Sequence, residues 1–304
     1  MKKKVPVPIK DGAVGLAFGT AVIIPGLSGG TIALVFGAYK KIVDAVNDLF
    51  TKRFWKNFLI LLPFLVGALI AVAALIKPFT LAFEYCLFSI ICLFGGFILG
   101  AIPGVHDQVK DEKPHKKNVI QFILGLVGAG IIGVLSVLFK SYDLIFSLFD
   151  AREWYLYFII AIAGFLSSTG LIVPGFSGSM LLMIMGFYHP VLKLALFQNF
   201  WSDFTLLLAF AVGVGIGFIF FSKLMHRLFT FHLRSTLFVV LGFLFGSLIS
   251  IFFNSQMFIY YTNPLGMPLY DIIIGPFAFI IGVVLSYLLV VHTRKLNKQK
   301  DAEN

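Results

Sequence analysis

Apolar residues run through this chain in long blocks, and the polar positions between them are few and clustered. Six blocks approach the ~20 residues that a bilayer crossing requires. They are 58–76, 85–102, 119–139, 205–221, 236–253 and 272–291, and none contains Asp, Glu, Lys, Arg or His. Each predicts a membrane-spanning helix. Two further apolar segments, 14–39 and 154–188, are each interrupted by Pro-Gly-x-Ser-Gly. The first is too short for two crossings, which need about 40 residues. Both segments therefore predict broken helical hairpins that enter and leave on one side.

The two interruptions are copies of one another. Between residues 15–39 and the stretch 149 positions on, nine of 25 positions are identical: Gly15, Thr20, Ile23, Pro25, Gly26, Ser28, Gly29, Gly37 and Tyr39. The similarity continues in Gly96-Phe97-Ile98-Leu99-Gly100 against Gly242-Phe243-Leu244-Phe245-Gly246, and in 131–134 against 280–283. The chain thus divides into repeat 1 (1–150) and repeat 2 (151–304), each with one hairpin and three crossings. Three is odd, so the second copy must sit upside down in the same membrane domain. The expected fold is all-α and integral to the membrane, with an inverted-topology repeat, six full transmembrane helices and two re-entrant hairpins. Paired breaks at matching places in two such halves point to a transporter binding site.

Composition and charge support this picture. Charged residues are 12% of the chain, against roughly 25% for a soluble domain, and mean hydropathy is +0.98. The net charge of +10 reads as topology rather than as nucleic-acid binding. With both hairpins re-entrant, one side carries 20 of the 24 Lys and Arg residues, and only Lys77, Lys140, Arg152 and Lys193 lie on the other. Single crossings by both hairpins would split them 14 to 10. Both termini are expected in the cytoplasm, beginning with the basic leader Met1-Lys-Lys-Lys4. Cys86 and Cys92, six apart on one helix, do not share a face and predict no disulfide. The six histidines have no metal-ligand spacing, so neither a metal nor another cofactor is expected.

The chemistry is concentrated at the two breaks. Pro25-Gly26 and Pro174-Gly175 end an incoming half-helix, and Ser28 and Ser177 are suited to cap an outgoing one. The N–H groups that follow, at Gly29, Gly30 and Thr31 and at Gly178, Ser179 and Met180, lack intrahelical acceptors. Such an N-terminus carries about half a positive charge and attracts phosphate or carboxylate. The hydroxyls of Ser28, Thr31, Ser177 and Ser179 add donors, and Thr20, Ser167, Ser168 and Thr169 extend the polar lining. The alternative reading is that the two tips cap one another. Arg152, directly before the second hairpin on the sparsely basic side, is a candidate first contact for an anion; its alternative is a pairing with Asp150 or Glu153.

At Pro25-Gly-Leu-Ser-Gly-Gly-Thr31 and Pro174-Gly-Phe-Ser-Gly-Ser179, with Gly37-Ala-Tyr39 and Gly186-Phe-Tyr188 after them, the chain resembles the bacterial and archaeal polyprenyl-phosphate transporters, formerly DUF368. The resemblance covers nearly the whole chain. It implies a cell-membrane protein, not an enzyme, that returns undecaprenyl phosphate from the outer to the cytoplasmic leaflet by alternating access, with that lipid as its partner among the membrane lipids. The chain departs from the family's pattern at Val22, Lys40 and His189, where relatives carry acids. Two other readings stay open. Undecaprenyl-pyrophosphate phosphatases have a similar Pro-Gly-x-Ser-Arg-Ser motif, but Gly29 stands here in place of the arginine. The third reading is a carrier of a small soluble anion.

Overall fold

The computed structural model describes residues 7–25, 29, 32–33, 36, 38, 41–42, 45, 54–107, 109, 115–138, 145, 147–149, 151–172, 177–263 and 266–303. Among these, the long elements are helices: α1 Val7–Ile23, α2 Phe54–Tyr85, α3 Leu87–His106, α4 Lys116–Leu138, α5 Leu156–Ser167, α6 Thr169–Ile172, α7 Gly178–Met185, α8 Tyr188–Leu194, α9 Phe200–Ser250, α10 Ser255–Tyr261 and α11 Leu269–Glu303. Six stretches are long and apolar enough to cross a bilayer: α2, α3, α4, the two arms Phe200–Met225 and Thr230–Tyr261, and Leu269–His292 of α11. They coincide with the six apolar blocks of the sequence. The protein is an all-α, multi-pass integral membrane protein.

The helices run further than the blocks. α2 continues past Lys77 and through Pro78 to Tyr85, beyond the apolar block that ends at Ile76. The link expected at 222–235 is itself helical and departs from helical geometry at His232 (φ −142°, ψ 35°). Charged and polar residues there are carried on helical turns up to a kink at His232, so composition alone places the helix end too early.

Within lipid there is little hydrophobic drive between helices, so packing depends on close backbone approach. α1 lies on α2, α5 on the first arm of α9, α3 on α11, and α4 on the second arm. A methyl group placed on Gly15 would sit 2.3 Å from the Phe64 carbonyl oxygen; one on its counterpart Gly164 would sit 2.3 Å from that of Phe210. Likewise Gly96 admits only hydrogen beside the Phe279 carbonyl (2.1 Å to an added methyl), and Gly242 beside that of Phe122 (1.8 Å). The second span of each half therefore packs on the third span of the other. In this packing Gly125 is the counterpart of Gly282: they approach the backbones of Val239 and Leu93. Gly133, aligned with Gly282 in the sequence, faces Ser250 instead.

The centre is formed by α3 and the second arm of α9, whose Phe94, Ile98 and Leu244 are fully buried, together with Met180 and Ile184 of α7. One carboxylate fastens this centre at one end. Asp271, fully buried before the apolar run of α11, accepts from the Phe88 N–H (2.9 Å), the Ser89 N–H (2.8 Å) and the Tyr260 hydroxyl (2.6 Å). It thereby satisfies the open donors at the start of α3. Cys86 and Cys92 are free thiols, as expected.

Candidate functional site

The second break folds as a helix end, a gap and a new helix start. α5 and α6 carry the chain to Ile172, and α7 begins at Gly178. Ser177 occupies the N-cap position with extended geometry (φ −116°, ψ 124°), as its residue type predicts, but its side chain does not cap. The Ser177 and Ser179 hydroxyls instead lie 2.8 Å apart and share a hydrogen bond. One of their two protons is used in that bond, and no acceptor among the described residues takes the other. α7 ends at Gly186 in the left-handed region (φ 86°), where the Phe187 N–H closes back on the Leu182 carbonyl at 2.8 Å. Only glycine takes this conformation without strain, which accounts for a glycine at this point of the motif.

That turn delivers Tyr188 to the first motif. Its hydroxyl donates to the Ile23 carbonyl at 2.8 Å, and its ring packs against Phe83 and Phe94. Ile23 is the last residue of α1, next to the Pro25 break, so its carbonyl is among those a helix end leaves open. The two broken segments are thus joined by a buried hydrogen bond.

Between them lies a cavity of ≈ 280 Å³. Its polar surface comes from Ser167, Ser168, Ser177, Ser179 and Tyr188, together with Gly29 of the first motif and Gly178 of the second. Among the described residues that line it there is no Asp, Glu, Lys, Arg or His. Not every hydroxyl is available as a donor. Ser167 gives its proton to the Gly164 carbonyl (2.9 Å) and Ser168 to that of Phe165 (2.6 Å). Thr20 and Thr169 are bonded in the same way, to Leu16 and Leu166, and neither lines the cavity. The donor side is therefore the Ser177–Ser179 pair with the first turn of α7, whose N–H groups have no intrahelical acceptor.

Gly178 has a structural reason to be glycine. A methyl group there would lie 1.9 Å from the Ser167 carbonyl oxygen, so α7 starts directly against the end of α5. Gly29 is buried and faces the Phe18 ring at 2.8 Å from an added methyl. Pro25 is buried and is not among the residues that line the cavity. Gly26, Ser28, Gly30, Thr31, Pro174 and Gly175 lie outside the described residues.

Arg152 is not brought to the cavity. It precedes α5, whose 12 residues span about 18 Å, and the cavity is at the other end of that helix. Its guanidinium donates to Asp203 at 2.7 Å, a partner not considered from sequence; Asp150 lies outside the described residues. Asp203 is 2% exposed and also accepts from the Asn199 N–H at 2.8 Å. This pair fastens the start of α5 to the start of α9, with Arg152 held at φ 50°. Asp203 and Tyr188 were not among the expected site residues; the repeated Gly-x-Tyr spacing carries a signal for Tyr188, and nothing local does so for Asp203. On α8, His189 is 4% exposed and stacks on Phe83 at 5.2 Å. Burial pushes its imidazole down to about 4, and the Lys193 ammonium acts in the same direction.

The fold and the site define a class: a multi-pass membrane protein with a small hydroxyl-lined cavity where two broken segments meet. The chain belongs to the VCA0040-like family, described as undecaprenyl phosphate translocase-like, whose model matches residues 18–268. It is 30% identical over 252 residues to the polyprenyl-phosphate transporter of Staphylococcus aureus, covering 78% of this chain and 84% of that one. It is 28% identical over 280 residues to the polyprenyl-phosphate transporter of Vibrio cholerae, covering 87% and 85%. These names describe transporters, not enzymes. No solved structure gives a significant match.

Proposed function

We propose that the protein carries polyprenyl phosphate across the cell membrane, with the phosphate held in the cavity between the two motifs. The observation that carries this reading is that Gly29 of one motif and Ser177, Gly178 and Ser179 of the other line the same cavity. The lipid's tail stays in hydrocarbon throughout, so only the phosphate must be helped across. A charge at the bilayer centre costs from about 3 to more than 10 kcal/mol. Hydrogen bonds to a charged group contribute about 1.5–3 kcal/mol each, so three or four donors are the right scale to offset that cost. The relatives' names support the substrate class. The apolar remainder of the cavity supports a lipid over a small soluble anion. A phosphatase reading is disfavoured because no described residue beside the two serines offers a base, and phosphoryl transfer needs charge neutralisation at the transferred group.

The contacts of Gly15 with Phe64 and of Gly164 with Phe210, and those of Gly96 with Phe279 and of Gly242 with Phe122, match in pairs and support two repeats related by an axis in the membrane plane. In this reading the two hairpins are re-entrant from opposite faces, both termini are cytoplasmic, and rocking of one repeat against the other exposes the site to each leaflet in turn. Net movement is from the outer to the cytoplasmic leaflet. The test is saturable binding of radiolabelled undecaprenyl phosphate to the purified protein in nanodiscs. Competition by the phosphate but not by the corresponding prenyl alcohol is expected; equal competition by the alcohol would remove the phosphate site.

A further inference from the structure

Apart from the serines and Tyr188, the side chains lining the cavity are apolar, among them Val72 of α2, Val191 and Ala195 at α8, and Leu207, Phe210 and Val214 of α9. All six are partly exposed, which fits a cavity that opens along these side chains. Beyond it the surfaces of α2 and α9 continue as exposed apolar side chains, among them Leu69 (58%) and Leu208 (53%). A mouth that opened to water would present a polar rim; these described residues are hydrocarbon. The ion pair of Lys193 with Glu84 at 3.2 Å joins α8 to α2.

We propose that the slit between α2 and the first arm of α9 is a lateral portal to the bilayer, occupied by the isoprenoid tail of a lipid whose phosphate lies in the cavity. This rests on the transport reading above. α2 and the first arm of α9 occupy equivalent places: each is the partner of the helix preceding a break, as the Gly15–Phe64 and Gly164–Phe210 contacts show. A slit between equivalent helices contains the axis that relates the two halves. The same slit therefore serves whichever leaflet the site faces, and the tail stays in hydrocarbon while the phosphate moves. An alternative route is the apolar groove of ≈ 510 Å³ lined by Ile132, Leu135, Ile159 and Ile162 between α4 and α5.

The experiment is photolabelling of the wild-type chain with undecaprenyl phosphate carrying diazirines along its tail, followed by peptide mapping. Labels that are competed by unlabelled lipid and lie on α2 and the first arm of α9 are expected. Competed labels on the α4–α5 groove would overturn the portal and leave the transport reading standing. Absence of any competed label would overturn both. As a second measurement, Val72→Trp with Val214→Trp should slow undecaprenyl phosphate transport roughly tenfold by overfilling the slit. Unchanged transport in a folded double variant would also overturn the portal.

Discussion

The Tyr188 hydroxyl donates to the Ile23 carbonyl across 165 positions of sequence, at 2.8 Å and in a buried setting. It ties the start of α8, one short helix past the second break, to the helix end that precedes the first. Tyr188→Phe keeps the ring contacts and leaves that carbonyl without its donor, which costs about 1–3 kcal/mol. A lower melting temperature and slower transport are expected. An unchanged melting temperature and unchanged transport would show that the bond holds nothing.

Ser177→Ala and Ser179→Ala each remove one member of the hydroxyl pair. The surviving hydroxyl is then released to point at the ligand, so neither single change removes every side-chain donor. The double change does, and should weaken phosphate binding roughly tenfold or more, on the scale of 1.5–3 kcal/mol for a bond to a charged group. The effects should be non-additive, because the two residues share a hydrogen bond. Equilibrium binding of the four proteins measures this directly; equal affinity across all four would remove the pair from the site.

Arg152→Ala leaves the Asp203 carboxylate buried without its cation. For a pair whose arginine side chain is 30% exposed, a loss of about 1–3 kcal/mol is expected. Adding Asp203→Asn should recover part of it, which a thermal-melting double-mutant cycle will read. Transport per folded molecule should persist, since Arg152 lies a helix length from the cavity. Abolished transport with an unchanged melting temperature would instead restore Arg152 as a substrate contact.

His189 gives the stability a pH dependence of known sign. Its imidazole titrates near 4 in the folded chain, against about 6.5 unfolded. Between these values the unfolded chain binds the proton and the folded chain does not, so stability is full above about pH 6.5 and falls as pH drops toward 4. About 1–2 kcal/mol should be lost by pH 5. His189→Phe should lose less melting temperature between pH 7 and pH 5 than the parent; an equal loss would assign the effect to other groups.

The spans were legible because a crossing helix needs a long apolar run, and six such runs are present. Their ends were not, because the helix continues past Lys77 and Pro78, and nearly through 222–235. The helix start after the second break was legible from Ser177, Gly178 and Ser179, whose types fit an interrupted helix. What those residues do locally was less so. A side chain suited to capping bonds instead to a partner two residues away, and Gly178 serves close helix contact. The Arg152–Asp203 pair joins residues 51 apart, which spacing rules do not reach. The third-span register was misleading in sequence because Gly133 and Gly282 share a local string while Gly125 shares the packing.

The most direct measurement is movement of undecaprenyl phosphate between leaflets of sealed vesicles holding the purified protein, read by the fraction that an added impermeant phosphatase can reach. Vesicles with the wild-type chain should exchange inner and outer pools rapidly, and those with Ser177→Ala/Ser179→Ala or Gly29→Leu should exchange them slowly. Exchange no faster than in protein-free vesicles, or release of inorganic phosphate by the protein without added phosphatase, would contradict the assignment of this chain as a lipid-phosphate carrier.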